Sequence, residues 1–341
     1  MKQKKRMTYR LYGALASPYS VKMRALLRYR RIPHVWIEDV NRRQQALGEV
    51  RVPVIPVLEY PDGRFANDST PLIFDLEKQH AGRSVVPPDA AFAFVACLIE
   101  DFADEWLTKP MFLYRWRAEI DQKQLADWLI FDSYGAFGDA QREAAAKIRE
   151  RQVSRLPMVA GPPANAALVE KSTKAVLAAL EAQMAKGWFL FGSRPSLAEF
   201  ALFGQLKQLA TDPTPQSLMR AQFPLTYRWL DHVEDLSGVE GEWQDGGDLS
   251  AGARSLLAVV GEVYLPFLAA NDAAVEAGAD QVDLTAMGER YTQAPFKFQA
   301  KCLAALRERY AELGDVDRGR VDLWFEEAGT SPAPSYLKGR G

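Results

Sequence analysis

The chain has 341 residues, which at roughly 150 residues per domain predicts two to three compact units. Hydrophobic residues make up 48% of the chain and charged residues 25%, a composition that is typical of a folded globular protein and excludes a disordered one. The 42 Lys and Arg residues nearly balance the 44 Asp and Glu residues. Because no basic excess attracts polyanions, we expect neither nucleic acid nor a membrane surface as a partner.

The cysteines and the apolar segments indicate the compartment. Cys97 and Cys302 are far apart in the chain, which excludes a disulfide framework and a CxxC site. The basic start is followed by no apolar stretch of signal-peptide length. The apolar segments 90–99 and 255–261 end at carboxylates well before the roughly 20 residues that span a bilayer. We therefore expect a cytoplasmic protein without a transmembrane helix.

The first elements predict a strand, a helix and a second strand. Residues 9–13 alternate in the manner of a short strand. Ser17 and Pro18 then supply the N-cap and first-turn residues of a helix, and residues 34–37 restore a strand pattern. This order predicts a βαβ unit with parallel strands.

Four further elements complete an α/β domain. Residues 41–49 have a polar helical pattern, and residues 52–60 read as a strand interrupted by two prolines. Residues 61–64 are a strong turn signal before a short strand near Phe65. Capping residues at 67–71 precede another apolar helical face. The predicted order is β-α-β-α-β-β-α.

Three short segments stand out in this order: Ser-Pro-Tyr-Ser at 17–20, Ile-Pro-Val-Leu-Glu at 55–59 and the Asp-Ser pair at 68–69. Together they resemble the glutathione transferases, particularly omega-like and related bacterial members. Residues 9 to about 80 thus resemble the thioredoxin-like N-terminal domain of that family. Residues 188–200 resemble the signature of its helical C-terminal domain, in which Ser196 and Glu199 form a structural capping box.

The resemblance extends to about residue 236 and defines the domains. We expect a thioredoxin-like glutathione-binding domain at 1–82 and an all-helical transferase domain at 91–236. A glycine-rich, acidic connector leads to residues 253–330, whose helical periodicity predicts additional helices packed on the body. We recognise no motif in this extension, and residues 331–341 are expected to be a flexible tail.

The resemblance implies that glutathione is the co-substrate and that the protein activates its thiol. An unperturbed thiol has a pKa near about 8.5, so only a few per cent is thiolate at neutral pH. A hydroxyl at the amino end of the first helix could donate a hydrogen bond to the sulfur, where the helix dipole also favours an anion. We predict Ser17 as this donor, with Ser20 as a competitor and a simple helix cap as the alternative for either. Serine in place of the cysteine of omega-like relatives excludes a redox cycle through this residue.

The peptide of glutathione is expected to bind along three further segments. The resemblance makes Pro56 a cis-proline, which would leave the Ile55 backbone free to pair with the cysteinyl residue. Asp68 and Ser69 suit the γ-glutamyl ammonium and carboxylate, although a helix cap without a ligand would have the same residues.

The sequence indicates two further glutathione contacts less specifically. Tyr19 could line the thiol pocket, or it could serve only in packing. Arg42 or Arg43 follows the second strand and could bind the glycyl carboxylate, or either could be a solvated surface charge.

The electrophile pocket should be apolar and formed by the helical domain. The candidates form one aromatic-rich stretch, for which core packing is the alternative: Trp106, Phe112, Tyr114 and Trp116. No histidine or cysteine spacing indicates a metal ligand set, so we expect no metal.

The sequence thus predicts an α/β thioredoxin-like N-terminal domain, followed by an all-α glutathione-transferase-type C-terminal domain with additional helices. The expected function is conjugation of glutathione to a small apolar electrophile, a detoxification reaction, by a homodimer unless the extension blocks the pairing surface. The alternative is a non-catalytic glutathione-binding or protein-interaction module on the same fold.

Overall fold

The N-terminal part of the chain forms a small mixed α/β unit. The computed structural model describes residues 8–339. The elements of this unit are β1 Tyr9–Tyr12, α1 Pro18–Tyr29, β2 His34–Ile37, α2 Val40–Gly48, β3 Val57–Glu59, β4 Phe65–Asn67 and α3 Ser69–Gln79. Their order confirms the predicted thioredoxin-like arrangement. Strand β3 is shorter than the predicted 52–60 segment, since Pro53 and Pro56 lack the N–H groups that a ladder requires.

The four strands form one sheet in the order β2-β1-β3-β4. β1 pairs parallel with β2 and antiparallel with β3, and β3 pairs antiparallel with β4. Tyr12 lies opposite both Ile37 and Val57, and Val57 lies opposite Asn67. The carboxyl ends of β1, β2 and β4 therefore meet the amino end of β3 at a single edge of the sheet.

The helical domain follows and packs on α1. Its helices are α4 Ala90–Glu105, α5 Thr108–Arg117, α6 Glu119–Tyr134, α7 Asp139–Ser154, α8 Leu156–Val159, α9 Ala166–Met184, α10 Leu197–Thr211, α11 Pro213–Gln222 and α12 Pro224–Val233. The predicted capping box is confirmed, because the Ser196 N–H donates to Glu199 Oε2 at 2.8 Å at the start of α10. Gly204 of α10 lets that helix approach Pro18 and Lys22 of α1 closely.

The extension contains helices and an unexpected hairpin. Its elements are α13 Ala251–Val259, a π-helical turn Val260–Tyr264, α14 Leu265–Ala277, β5 Val282–Ala286, β6 Glu289–Gln293, α15 Lys297–Ala311, α16 Asp315–Glu327 and α17 Ala333–Leu337. The expectation of additional helices alone was therefore incomplete. Strands β5 and β6 pair antiparallel around Met287 and Gly288, which both have positive φ, as a tight hairpin turn requires.

The segment 331–341, predicted to be a flexible tail, contains a short helix. Residues 333–337 form helix α17, in which Ala333, Pro334 and Leu337 are buried. Ala333 and Leu337 add to the same apolar core as α14 and α15, so burial orders this helix. Residues 340–341 lie outside the described part of the chain.

The continuous helical run Ala251–Ala277 is long and apolar enough to cross a membrane by length and composition, but 61% of the apolar window is buried inside the protein. The carboxylate at Glu262 was expected to interrupt this segment, yet the helix continues through it. Its apolar face packs inside the protein, where Tyr264 and Phe267 join the main core.

Aromatic contacts join the extension to the helical domain. Phe92 of α4 stacks on Trp324 of α16, with ring centroids 5.4 Å apart. Trp106 packs against the rings of Phe267 and Tyr291, at centroid distances of 5.2 and 5.3 Å. The largest apolar cluster contains side chains from β1 to α17, so the extension shares its core with the preceding domains.

Candidate functional site

The sheet topology collects the predicted site segments at one edge. The loop after β1 leads to Ser17, Pro56 immediately precedes β3, and Asp68 immediately follows β4. Because the corresponding strand ends meet at this edge, segments that are about 50 residues apart in sequence lie on the same side of the domain. We call this region the sheet-edge site.

Ser17 is the N-cap of α1. Its Oγ accepts a hydrogen bond from the Ser20 N–H at 3.3 Å, and its own N–H donates to the Ala14 carbonyl at 3.1 Å. An Oγ that accepts this bond still has its hydroxyl proton free to donate. Ser17 is half-buried, whereas Ser20 is fully buried and its hydroxyl has no hydrogen-bond partner within residues 8–339. Of the two serines, only Ser17 is open to a ligand.

The Ile55–Pro56 peptide bond is cis. Pro56 is buried and Ile55 is half-buried. The preceding turn is fixed to the end of β4, because Asn67 Nδ2 donates to the carbonyls of Val52 and Val54 at 2.6 and 3.1 Å. The segment before β3 is thus attached to the strand that leads to Asp68.

Asp68 and Ser69, predicted together as glutathione contacts, lie in different environments: Asp68 is exposed and Ser69 is buried. Asp68 has a φ of 74° and makes no side-chain capping bond to α3. The Ser69 Oγ accepts from Lys22 Nζ and donates to Asp104 Oδ2, each at 3.3 Å. The Ser69 hydroxyl is thus bonded inside the protein, and its use as a direct glutathione contact stays a prediction. The amino end of α3 remains at the edge.

A buried ion cluster lies behind the sheet-edge site. Lys22 Nζ donates to Glu100 Oε1 and Asp104 Oδ2, both at 2.6 Å, and Thr70 Oγ1 also donates to Glu100 Oε1 at 2.6 Å. With Ser69, these residues form the lysine cluster, which joins α1, α3 and α4. Burial opposes the charge of Lys22, but Asp104 and Glu100 outweigh burial and raise the pKa of Lys22. Burial raises the pKa of Asp104 to about 7, although Lys22 opposes this shift.

The sequence contains a signal for the lysine cluster. Lys22 stands between the core residues Val21 and Met23, and Glu100 and Asp104 are one helical turn apart in the very apolar helix α4. Charges placed among buried positions indicate buried partners of opposite sign. The sequence could not show which helices supply them.

Tyr19 and the two arginines make specific contacts. The Tyr19 hydroxyl donates to the Asp104 carbonyl at 2.9 Å and lies 3.0 Å from Thr108 Oγ1, and burial raises the pKa of Tyr19. The predicted role of Tyr19 at the thiol is therefore not supported for its hydroxyl. Arg43 donates to the carbonyls of Gly13 and Glu38, each at 3.2 Å, while Arg42 is exposed.

The aromatic residues predicted to line the electrophile pocket lie mostly in the core. Trp106, Tyr114 and Trp116 are buried in core clusters, and Trp106 Nε1 donates to Ser172 Oγ at 3.1 Å. Helices α4 and α5 direct these rings to the bundle interior and to the extension. Phe112 alone of the four keeps partial exposure.

An open cavity of about 230 Å³ lies beside the loop that precedes Ser17. Leu15 and Ala16 of that loop form one wall, and Leu125 and Trp128 of α6 form another. Further lining residues come from α1, α6, α10 and the segment after α12: Val21, Arg24, Asp132, Lys207, Gln208, Thr211 and Glu234. The cavity combines apolar walls with charged groups. In residues 8–339, no group of three or more His, Cys, Asp or Glu residues is placed to hold a metal ion.

Comparison with known proteins gives family matches in both of the first two domains. Residues 11–84 match the model described as glutathione S-transferase, N-terminal domain, and residues 144–232 match glutathione S-transferase, C-terminal domain. The search of curated proteins gives no match.

Similar solved structures include a glutathione S-transferase from Methylobacterium radiotolerans JCM 2831 in complex with glutathione sulfonate. Its sequence is 20% identical, the match covers 71% of this chain and 98% of that chain, and the TM-score is 0.40. A glutathione S-transferase from Rhodospirillum rubrum F11 has 19% identity over 73% of this chain and 91% of that chain, with a TM-score of 0.42. The beta-etherase LigF from Sphingobium sp. strain SYK-6 has 16% identity over 67% of this chain and 95% of that chain, with a TM-score of 0.46. Residues 11–84 and 144–232 are thus similar to the N-terminal and C-terminal domains of the glutathione S-transferases.

Proposed function

We propose that the protein is a glutathione transferase that binds glutathione at the sheet-edge site and activates its thiol with the Ser17 hydroxyl. The observation that carries this proposal is the half-buried Ser17 N-cap with a free hydroxyl proton, at the edge where the cis Ile55–Pro56 segment and the start of α3 also lie. The matches to the two glutathione S-transferase domains supply the ligand class.

The chemistry follows from the position of Ser17 at the end of a helix. Unpaired N–H groups and the helix dipole favour an anion there, and the serine hydroxyl adds a charge-assisted hydrogen bond to sulfur. Each unit by which the thiol pKa falls requires about 1.4 kcal/mol, which these effects can supply. The thiol proton passes to solvent, and the thiolate forms a bond to an electrophilic carbon. In a substitution, that carbon releases a leaving group together with the electron pair of the broken bond. In an addition, the electrons of its π bond move to the neighbouring atom, which is then protonated by solvent.

Glutathione binding uses the backbone more than the side chains. The Ile55 backbone pairs with the cysteinyl residue in the manner of strand addition. The N–H groups at the start of α3 bind the γ-glutamyl carboxylate, and the exposed Asp68 binds its ammonium group. Ser69 holds the start of α3 against the lysine cluster. Arg42, which is exposed, binds the glycyl carboxylate, whereas Arg43 supports the Gly13 carbonyl.

The electrophile occupies the cavity beside Leu15 and Ala16, which replaces the aromatic pocket expected from the sequence. Apolar walls at Leu125 and Trp128 suit an apolar substrate, and Ala16 is the neighbour of Ser17 in the chain. Replacement of Trp128 by Ala should raise the KM for the electrophile and leave the KM for glutathione unchanged. The buried free thiols of Cys97 and Cys302 are compatible with a reducing compartment, and we retain the cytoplasm and a homodimer as parts of the proposal.

The proposal is tested by titrating glutathione into the protein while thiolate absorbance is followed at neutral pH. Wild type should bind glutathione and show a thiolate signal. Ser17→Ala should retain most of the affinity and lose the signal, with at least a tenfold fall in kcat/KM for a model electrophile. Ser20→Ala is the matched control on the same helix and should keep the signal. Binding without thiolate in wild type would instead indicate a non-catalytic glutathione-binding module.

A further inference from the structure

The loop that precedes Ser17 is held by two side chains of the helical domain. Arg115 Nη1 donates to the carbonyl of Ala16 at 3.0 Å, and Gln208 Nε2 donates to the carbonyl of Leu15 at 3.0 Å. Two consecutive carbonyls of the loop therefore have fixed partners from α5 and α10. The next N–H, that of Ser17, is itself bonded back to Ala14.

The two donors belong to one buried unit, which we call the arginine clamp. Arg115 Nε donates to Asp212 Oδ2 at 2.9 Å, and Arg115 Nη2 donates to Gln208 Oε1 at 2.7 Å. Arg115, Gln208 and Asp212 are all buried. The guanidinium thus uses three nitrogens in three directions, and its planar fork fixes the angles between them.

A buried ion pair is weak evidence for a role in stability, because desolvation of both charges offsets their attraction. The clamp does have a positional consequence. It fixes the backbone at the two residues that precede the N-cap, and this fixes the point at which α1 begins and the direction of the Ser17 side chain. A hydroxyl that stabilises a thiolate depends steeply on its distance and angle to sulfur.

We propose that Arg115 is a positioning residue that orients the Ser17 hydroxyl toward the glutathione sulfur. It holds the Ala16 carbonyl directly, and it holds Gln208, which in turn holds the Leu15 carbonyl. The inference rests on the proposed function. It assigns to the helical domain a part in thiol activation, in addition to forming the electrophile cavity. A lysine in place of Arg115 could keep the charge opposite Asp212 but could not reproduce the three directed bonds.

The test measures the pKa of the bound thiol from the pH dependence of thiolate absorbance in the full-length protein saturated with glutathione. Arg115→Lys should raise that pKa by about 0.5 to 1 unit, a three- to tenfold loss of thiolate well below the pKa, with glutathione affinity changed less than threefold. Gln208→Met leaves the Arg115–Asp212 pair in place and should raise the thiol pKa by a smaller amount. This second variant tests the proposal if Arg115→Lys does not fold.

Arg30→Lys is the matched control. Arg30 is also buried and lies just after the far end of α1, where its Nη1 pairs with Glu77 at 2.9 Å and its Nη2 donates to the His80 carbonyl at 2.6 Å. Arg30→Lys should lower the melting temperature about as much as Arg115→Lys does, but it should leave the pKa of the bound thiol unchanged. In a Ser17→Ala background, Arg115→Lys should produce no further change in thiol pKa, because the hydroxyl it aims is absent.

The outcomes separate the two proposals. If wild type binds glutathione and forms thiolate, but Arg115→Lys and Gln208→Met keep the wild-type thiol pKa, the clamp proposal is wrong and the proposed function stands. Equal pKa shifts from Arg115→Lys in the wild-type and Ser17→Ala backgrounds would also overturn it. If wild type forms no thiolate at all, the proposed function fails and the clamp proposal fails with it.

Discussion

Replacing Lys22 by Met should destabilise the protein by about 3 to 5 kcal/mol, with a larger cost at alkaline than at acidic pH. The variant keeps a side chain of similar length and removes the only cation that is hydrogen-bonded to Glu100 and Asp104 in the described part of the chain. Both carboxyl groups would then be buried without a charge partner. Only the hydroxyls of Thr70 and Ser69 would remain to donate to them.

The pH dependence follows from the protonation of Asp104. Burial already holds the pKa of Asp104 at about 7 with Lys22 present, and removal of the cation raises it further. An acid whose pKa is higher in the folded than in the unfolded state contributes stability at low pH, and that stability is lost as the pH rises through the folded pKa. One such proton is worth up to about 1.4 kcal/mol per pH unit, and wild type also keeps the Asp104 proton up to about pH 7, so we expect up to about 1.4 kcal/mol more destabilisation at pH 8 than at pH 5.5.

The assay is urea denaturation of wild type and Lys22→Met at the two pH values. Arg142→Met is the control, because Arg142 forms an exposed pair with Asp139 one turn away on the same helix. This exposed pair should contribute less than about 1 kcal/mol at either pH. A cost for Lys22→Met below about 1 kcal/mol, or one that does not change with pH, would refute the reasoning.

Three further changes test the packing and the extension. Gly204→Ala would place a β-carbon 2.6 Å from the Pro18 carbonyl oxygen and should lower the free energy of unfolding by about 1 to 3 kcal/mol. Gly319→Ala, with no neighbouring atom within 4 Å, should instead stabilise α16 by up to about 1 kcal/mol. Equal effects of the two substitutions in urea denaturation would contradict this prediction. Trp324→Ala should cost about 3 to 5 kcal/mol, and a cost under about 1 kcal/mol would show that α16 does not unfold with the body. Burial raises the pKa of Glu105 to about 8, so its stability contribution is lost as the pH rises to that value. One proton held only by the folded state is worth about 1.4 kcal/mol per pH unit, so Glu105→Gln, similar to wild type at pH 5, should be up to about 4 kcal/mol more stable at pH 8.5. Identical pH profiles would count against this pKa.

The N-terminal fold could be predicted because its local signals agree with its tertiary contacts. The Ser17–Pro18 step begins α1, and the turn at 61–64 joins β3 to β4 as expected. The capping box at Ser196 and Glu199 depends only on neighbours in sequence, which is why it could also be identified. In each case the determining residues lie within a few positions of the element.

The electrophile pocket could not be predicted in the same way. Trp106 and Trp116 have the composition of a binding pocket, but which face of a helix meets the core depends on its neighbours in three dimensions. The β5–β6 hairpin was missed for a related reason. Its turn requires Met287 at positive φ, a conformation that is uncommon for a non-glycine residue, so only Gly288 and the strand alternation could have indicated it.

The shared apolar core has a consequence for how glutathione binding would be detected. Side chains from Tyr9 in β1 to Leu337 in α17 belong to the same cluster, so global unfolding should expose all of them in one cooperative transition. A ligand that binds only the folded state at one hundred times its dissociation constant raises the free energy of global unfolding by about 2.7 kcal/mol. Amides that exchange with solvent only through that transition should therefore slow together on addition of glutathione, and those of α17 would report occupancy of a site at the opposite end of the sequence.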